Sequence, residues 1–179
     1  LGVRIDTDGS NVTISNNTIA ENDGTGISFY PSNINQNANF TVTGNRIHRN
    51  SSTTSSSETA LFHDGTTTSS TILQYNSITG AVGDALVSFN RAPPSFTNNN
   101  LFLGSETYIL RTATQYDETS SIDFQGNWWG TTDSNVIDDL FYDWNDDATL
   151  QQVGYAPVLT APNTTAPPSP PQNLAAQTG

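Results

Sequence analysis

Along residues 1–130 the apolar positions fall in short alternating runs and not in helical stripes. Val12-Thr-Ile14, Phe40-Thr-Val42 and Ile122-Asp-Phe124 each place every second residue on one side, the period of a strand with one buried face. These runs belong to a recurring spacing: an apolar residue, two others, Asn, one other, then an apolar residue. It occurs five times, as Ile14 to Ile19 around Asn17, Val42 to Ile47 around Asn45, Leu73 to Ile78 around Asn76, Phe96 to Leu101 around Asn99, and Phe124 to Trp129 around Asn127. A second short strand opens each repeat: Val3-Arg-Ile5, Ile27-Ser-Phe29, Leu61-Phe-His63, Leu86-Val-Ser88 and Ile109-Leu-Arg111.

Successive Asn residues of this pattern are 28, 31, 23 and 28 positions apart. The shortest interval is too short for a strand-helix-strand unit of about 30 residues, and no segment between repeats carries a 3.6-residue apolar period. Helical crossovers are excluded. The pattern predicts an all-β parallel solenoid with two strands per coil and about five coils, each burying its apolar face against its neighbours. The recurring Asn suits a bend that needs a left-handed or bridge conformation, and its amide is able to hydrogen-bond the equivalent Asn one coil away. Asn17, Asn45, Asn76, Asn99 and Asn127 are therefore expected to form a structural ladder.

Coils written like Val12-Thr-Ile-Ser-Asn-Asn-Thr-Ile19 resemble the right-handed parallel β-helix repeats of the pectate-lyase-like family, over about residues 1–130. The resemblance implies a fold that carries lyases, hydrolases, adhesins and surface proteins alike, so it says little about activity. Gly126-Asn-Trp-Trp-Gly-Thr-Thr-Asp133 and the segment through Tyr155-Ala-Pro-Val-Leu159 resemble the closing section of such proteins, giving a cap over 131–159. Asp133 or Ser134 is placed to cap a short helix over 135–142, whose Val136, Ile137, Leu140 and Phe141 would cover the last coil. Residues 160–171 are rich in Thr and Pro and read as a linker. Residues 172–179 resemble the opening strand of a fibronectin type III domain, and Leu1-Gly-Val-Arg-Ile5 starts in mid-coil, so the chain reads as a C-terminal portion of something longer.

Composition narrows the partners. The chain is polar without being highly charged, with 34% hydrophobic and 12% charged residues, 20 Asn and no Lys. A net charge of −12 excludes the basic stripe that nucleic-acid binding requires and disfavours anionic membrane surfaces. With no Cys there is neither a disulfide nor a thiolate site, and no apolar run reaches the length of a membrane span, so membrane insertion is not expected. Extracellular or cell-surface residence is the expected location.

Enzymes that this chain resembles place acidic residues, Ca²⁺ and a basic residue on the exposed side of the first strand of each coil. The corresponding positions are Arg4, Ser28, Phe62, Val87 and Leu110, with no paired carboxylates among them. His63, Asp64, Asp84, Arg111, Asp117 and Glu118 lie near the strand ends and are the weak catalytic candidates, with turn and loop roles the simpler explanation. His63 stands in register with the inward residues. Asp143, Asn145 and Asp147 alternate as Ca²⁺-loop oxygens do, but lack the glycine and distant glutamate of an EF-hand, so Ca²⁺ is the one cofactor considered and none is firmly expected. Trp128, Trp129, Phe141, Tyr142 and Trp144 would either seal the core or stack on sugars. Of several Asn-X-Ser/Thr sites, Asn50 and Asn163 fall in segments read as exposed and are the candidate glycosylation points.

The expectation is a structural or adhesive surface module, in contact with polysaccharide or with copies of itself in a filament. Enzyme activity is not favoured; the alternative is a polysaccharide lyase or glycoside hydrolase whose active coils lie upstream.

Overall fold

The computed structural model describes residues 2–5, 11–29, 39–50, 59–63, 70–81, 83–90, 95–112 and 122–169. Among the described residues the regular elements are strands, paired in parallel, apart from one short helix. The chain visits three sheets in fixed rotation. The first contains β1 (Val3–Ile5), β4 (Ile27–Phe29), β7 (Leu61–His63), β10 (Ala85–Phe89) and β13 (Tyr108–Thr112), and ends with β15 (Phe141–Tyr142). The second contains β2 (Asn11–Ser15), β5 (Asn39–Thr43), β8 (Ser70–Gln74) and β11 (Ser95–Thr97). The third contains β3 (Thr18–Ala20), β6 (Arg46–His48), β9 (Ser77–Thr79) and β12 (Asn100–Phe102). Every strand pairs with its counterpart one repeat away.

Each repeat thus has three strands where the sequence pattern suggested two. The third is hard to see in the sequence because it follows the Asn directly and is three residues long, with a central apolar residue such as Ile19 or Ile47. The bend occupies one residue, the one before the Asn: Asn16, Gly44, Tyr75, Asn98 and Gly126 all have positive φ, between 55° and 71°. The Asn itself supplies hydrogen bonds and not the left-handed turn. A side chain in this region costs roughly 1–2 kcal/mol, which Gly44 and Gly126 avoid and asparagine tolerates.

Alternation then decides the core. In β5 the pattern is exposed or half-buried at Asn39, Thr41 and Thr43 and fully buried at Phe40 and Val42. All three sheets contribute to one apolar cluster, including Ile27, Phe29, Phe40, Val42, Ile47, Leu73, Ile78, Phe89, Phe96 and Leu101. Aromatic rings continue it upward: Phe89, Phe96 and Phe124 meet with centroids 5.0–5.2 Å apart, and Trp129 meets Phe141 edge-on at 4.8 Å.

At the top, β14 (Ile122–Asp123) pairs with β16 (Val153–Gly154), and α1 (Ser134–Asp139) is capped by Asp133, whose side chain accepts from the Asn135 amide. Two details of the expected lid change. Val136 is 44% exposed and does not cover the last repeat, while Phe141 lies in a strand beyond the helix. Ile137 is the buried helical contact. Residues 160–169, whose composition suggested a linker, are seated on the outer side of the third sheet through Asn163, Pro167 and Pro168.

Candidate functional site

Two asparagine columns define the corners of the repeats. In the first, the Asn17, Asn45, Asn76 and Asn99 side-chain amides each donate to the Oδ1 of the next Asn, ending on Asn127, at 3.0–3.3 Å. Each Oδ1 also accepts the backbone N–H of the Asn below, at 2.9–3.0 Å. The amide nitrogens finish on backbone carbonyls, such as Asn76 on Val42 at 2.9 Å. Four of the five residues are fully buried, so the column satisfies backbone groups that water cannot reach. Its role is structural.

The second column joins Asn22 to Asn50 at 2.8 Å, one corner later in the repeat. Gly26 passes so close that a Cβ there would sit 2.8 Å from the Asn50 amide nitrogen. One repeat on, Ala81 replaces the Asn, and the buried carboxylate of Glu106 accepts the N–H groups of Ala81 and Gly104. Burial raises the Glu106 pKa above the usual carboxylate range, against the lowering effect of these backbone hydrogen bonds. Neither Asn50 as a ladder member nor Glu106 was legible in the sequence, because only Asn22 and Asn50 carry the second Asn and the equivalent positions one and two repeats on are Ala81 and Gly104.

Arg4, Ser28, Phe62, Ser88, Arg111 and Tyr142 share one register stripe of the first sheet. Val87 and Leu110, expected outward, pair instead with one another in the column of Leu61 and Phe141, Val87 with Leu61 and Leu110 with Phe141; both are fully buried. Because β10 and β13 are five residues long, the sequence alignment by their first apolar residue slipped by one, and a one-residue slip changes the face.

Corrected, the stripe brings two candidates together. The Arg111 guanidinium lies 3.6 Å from the Asp84 carboxylate, with both side chains about half exposed at 46% and 49%. The same guanidinium stands 5.3 Å from the Tyr142 ring centre, and the Tyr108 ring is 5.3 Å from Tyr142. A cation, a carboxylate and two aromatic rings on one flank offer stacking area and directional hydrogen bonds, the requirements for holding a sugar. Tyr142 was among the aromatic candidates for stacking on sugars, but its place beside Arg111 was hidden by the slipped register, and Tyr108 was not singled out.

The remaining candidates separate. His63 occupies the register position of Phe29 and Phe89. Asp64, Asp117 and Glu118 lie outside the described residues. In the closing segment, Asp143 is buried, and its two oxygens accept from the backbone N–H of Asn145 at 2.9 Å and of Val153 at 3.0 Å. One oxygen of Asp147 accepts both the amide and the hydroxyl of Thr149, which lowers its pKa. These oxygens are used by turns, and among the described residues no group of three or more His, Asp or Glu is arranged to hold a metal ion.

Trp129 and Phe141 are buried in the seal of the core, whereas Trp144 is 46% exposed. Asn50 is fully buried, with its amide donating to the Ile19 carbonyl, so it is a corner residue and not an exposed acceptor for a glycan. Asn163 is also engaged, its amide donating to the Asn98 carbonyl at 3.0 Å.

Parallel sheets built by repetition, with asparagine-lined corners, define an all-β repeat protein. Residues 1–60 match the family model of the right-handed β-helix region, a span that takes in the first two repeats, and this supports the β-helix family. No curated protein and no solved structure matches the chain. Among the described residues no helix is long and apolar enough to cross a membrane.

Proposed function

We propose that the chain is part of a right-handed parallel β-helix solenoid of about five coils, related to the pectate-lyase-like repeats, that serves as an extracellular structural or adhesive module holding polysaccharide along its first sheet. The observation that supports this reading is the partly exposed group of Asp84, Arg111, Tyr108 and Tyr142 on a flank whose backbone is fixed by six paired strands. A rigid sheet holds these side chains at one spacing, so little ordering entropy is lost when a sugar chain binds. The segment from residue 172, which lies outside the described residues, resembles the start of a fibronectin type III sequence, which would join this module to others.

Affinity electrophoresis in gels carrying neutral or acidic polysaccharides tests the reading. At least one polysaccharide should retard the protein, and Tyr142→Ala should weaken that retention about tenfold, the effect of about 1.4 kcal/mol of lost stacking and cation-π contact. Equal retention of the wild type and variant, or none on any polysaccharide, would contradict it. So would release of unsaturated sugars by this chain, which is the behaviour of a lyase.

A further inference from the structure

The outer side of the third sheet presents a register column of polar side chains: Arg46, Ser77 and Asn100 occupy equivalent positions in β6, β9 and β12. Each is bonded to the segment after the cap. Asn100 makes a two-way contact with Asn163, its amide donating to the Asn163 carbonyl at 3.0 Å and its oxygen accepting the Asn163 N–H at 2.6 Å. The Ser77 hydroxyl donates to the Pro167 carbonyl, and Arg46 Nε donates to the Pro168 carbonyl at 2.7 Å.

Three features set this contact apart from casual packing. The sheet side chains bond chiefly to main-chain atoms, as a surface that reads an extended polypeptide would do. Asn163 is clamped at both ends, its amide on Asn98 and its oxygen accepting the Thr165 N–H at 2.9 Å, which fixes the turn that starts the docked segment. Ala166 is only 4% exposed, so the segment also excludes water where it crosses the sheet. Proline carbonyls suit the donors opposite them, because a proline-rich chain lacks the N–H groups that would otherwise face Ser77 and Arg46.

We infer that the Arg46–Ser77–Asn100 column is a recognition surface for a proline- and threonine-rich polypeptide segment, filled in this chain by its own residues 163–168. The segment is held by side chains on three successive repeats and therefore straps those repeats together. Its covalent attachment supplies an effective concentration in the millimolar range, so the free segment binds the same surface more weakly but at the same contacts.

Hydrogen exchange on the full chain tests this. The double variant Asn163→Ala with Ala166→Asp removes the clamp and places a charge at the buried crossing point. It should raise exchange at amides of β6, β9 and β12 at least tenfold and leave β4 and β10 of the first sheet unchanged, which shows that the protein remains folded. A synthetic peptide of residues 161–169, added at about 10 mM to exceed the lost effective concentration, should restore protection, while the peptide carrying Asn163→Ala should not. The milder variant Arg46→Ala should show a smaller rise in β6 and weaker rescue. Unchanged exchange in the unstrapped variant would overturn the inference. Loss of protection that neither peptide restores would also overturn it, because the segment would then be ordinary fold and the column no recognition surface.

Discussion

At the residue scale, the asparagine columns dominate because one side chain serves backbone groups in several repeats. Asn76 accepts the N–H and the amide of Asn45 and donates to Val42 and Asn99. Asn76→Ala should therefore destabilise the fold by roughly 2–6 kcal/mol, since two buried polar groups lose their partners at about 1–3 kcal/mol each; denaturant titration would read this as a lower midpoint. Glu106 gives a pH signature. Burial raises its folded pKa above the ordinary 4.5, so its favourable contribution is complete below that value and is lost as pH rises through the folded pKa. The stability of the wild type relative to Glu106→Gln should accordingly fall as pH rises from about 4 toward neutrality, a trend that paired denaturation curves at several pH values would show. A flat difference would mean that the carboxyl is not perturbed. Tyr155, whose pKa burial and its bond to Asp138 push up to about 12, should ionise well above the ordinary phenol value in an ultraviolet titration, and Tyr155→Phe should remove that step.

At the element scale, the legible and illegible parts of the fold divide by how local their cause is. The strands before each Asn were readable because alternation such as Phe40-Thr-Val42 is visible in the chain itself. The third strand was not, because Thr18–Ala20 and its counterparts are three residues long and gain definition only from the repeats above and below. The faces of β10 and β13 were misread for the same reason: register across five-residue strands is set by packing, and Leu86-Val87 and Ile109-Leu110 are consecutive apolar pairs that leave the inward residue undecided in the sequence. Likewise the helix was foreseen near its place, but Val136 looked like core until the chain turned at Leu140. Asp133→Ala should cost about 1 kcal/mol, as loss of an N-cap usually does, and should raise hydrogen exchange in 134–139 without disturbing the third sheet. Of the site, Asp84 and Arg111 were visible as charges, whereas the Tyr142 contact depended on the corrected register.

At the scale of the whole molecule, each repeat touches chiefly its neighbours, and the pairing of every strand with its counterpart one repeat away makes the fold a nearest-neighbour stack. A break in the middle should then separate the ends, so that Asn76→Ala would broaden the unfolding transition more than an equally costly change near Asn17. The −12 charge without any Lys keeps such a stack apart from other acidic surfaces. The Pro/Thr-rich segment, which composition alone presented as a spacer, becomes part of the flank through Asn163, a contact between residues 63 positions apart that no local pattern could disclose. The central claim is the parallel stacking of repeats on the asparagine column, and nuclear Overhauser contacts test it most directly. The account predicts backbone contacts in parallel register between Thr13 and Thr41 and between Thr41 and Ile72, with slowly exchanging side-chain amides at Asn45, Asn76 and Asn99. Antiparallel contacts between adjacent strands of a repeat, or rapid exchange of those three amides, would contradict it.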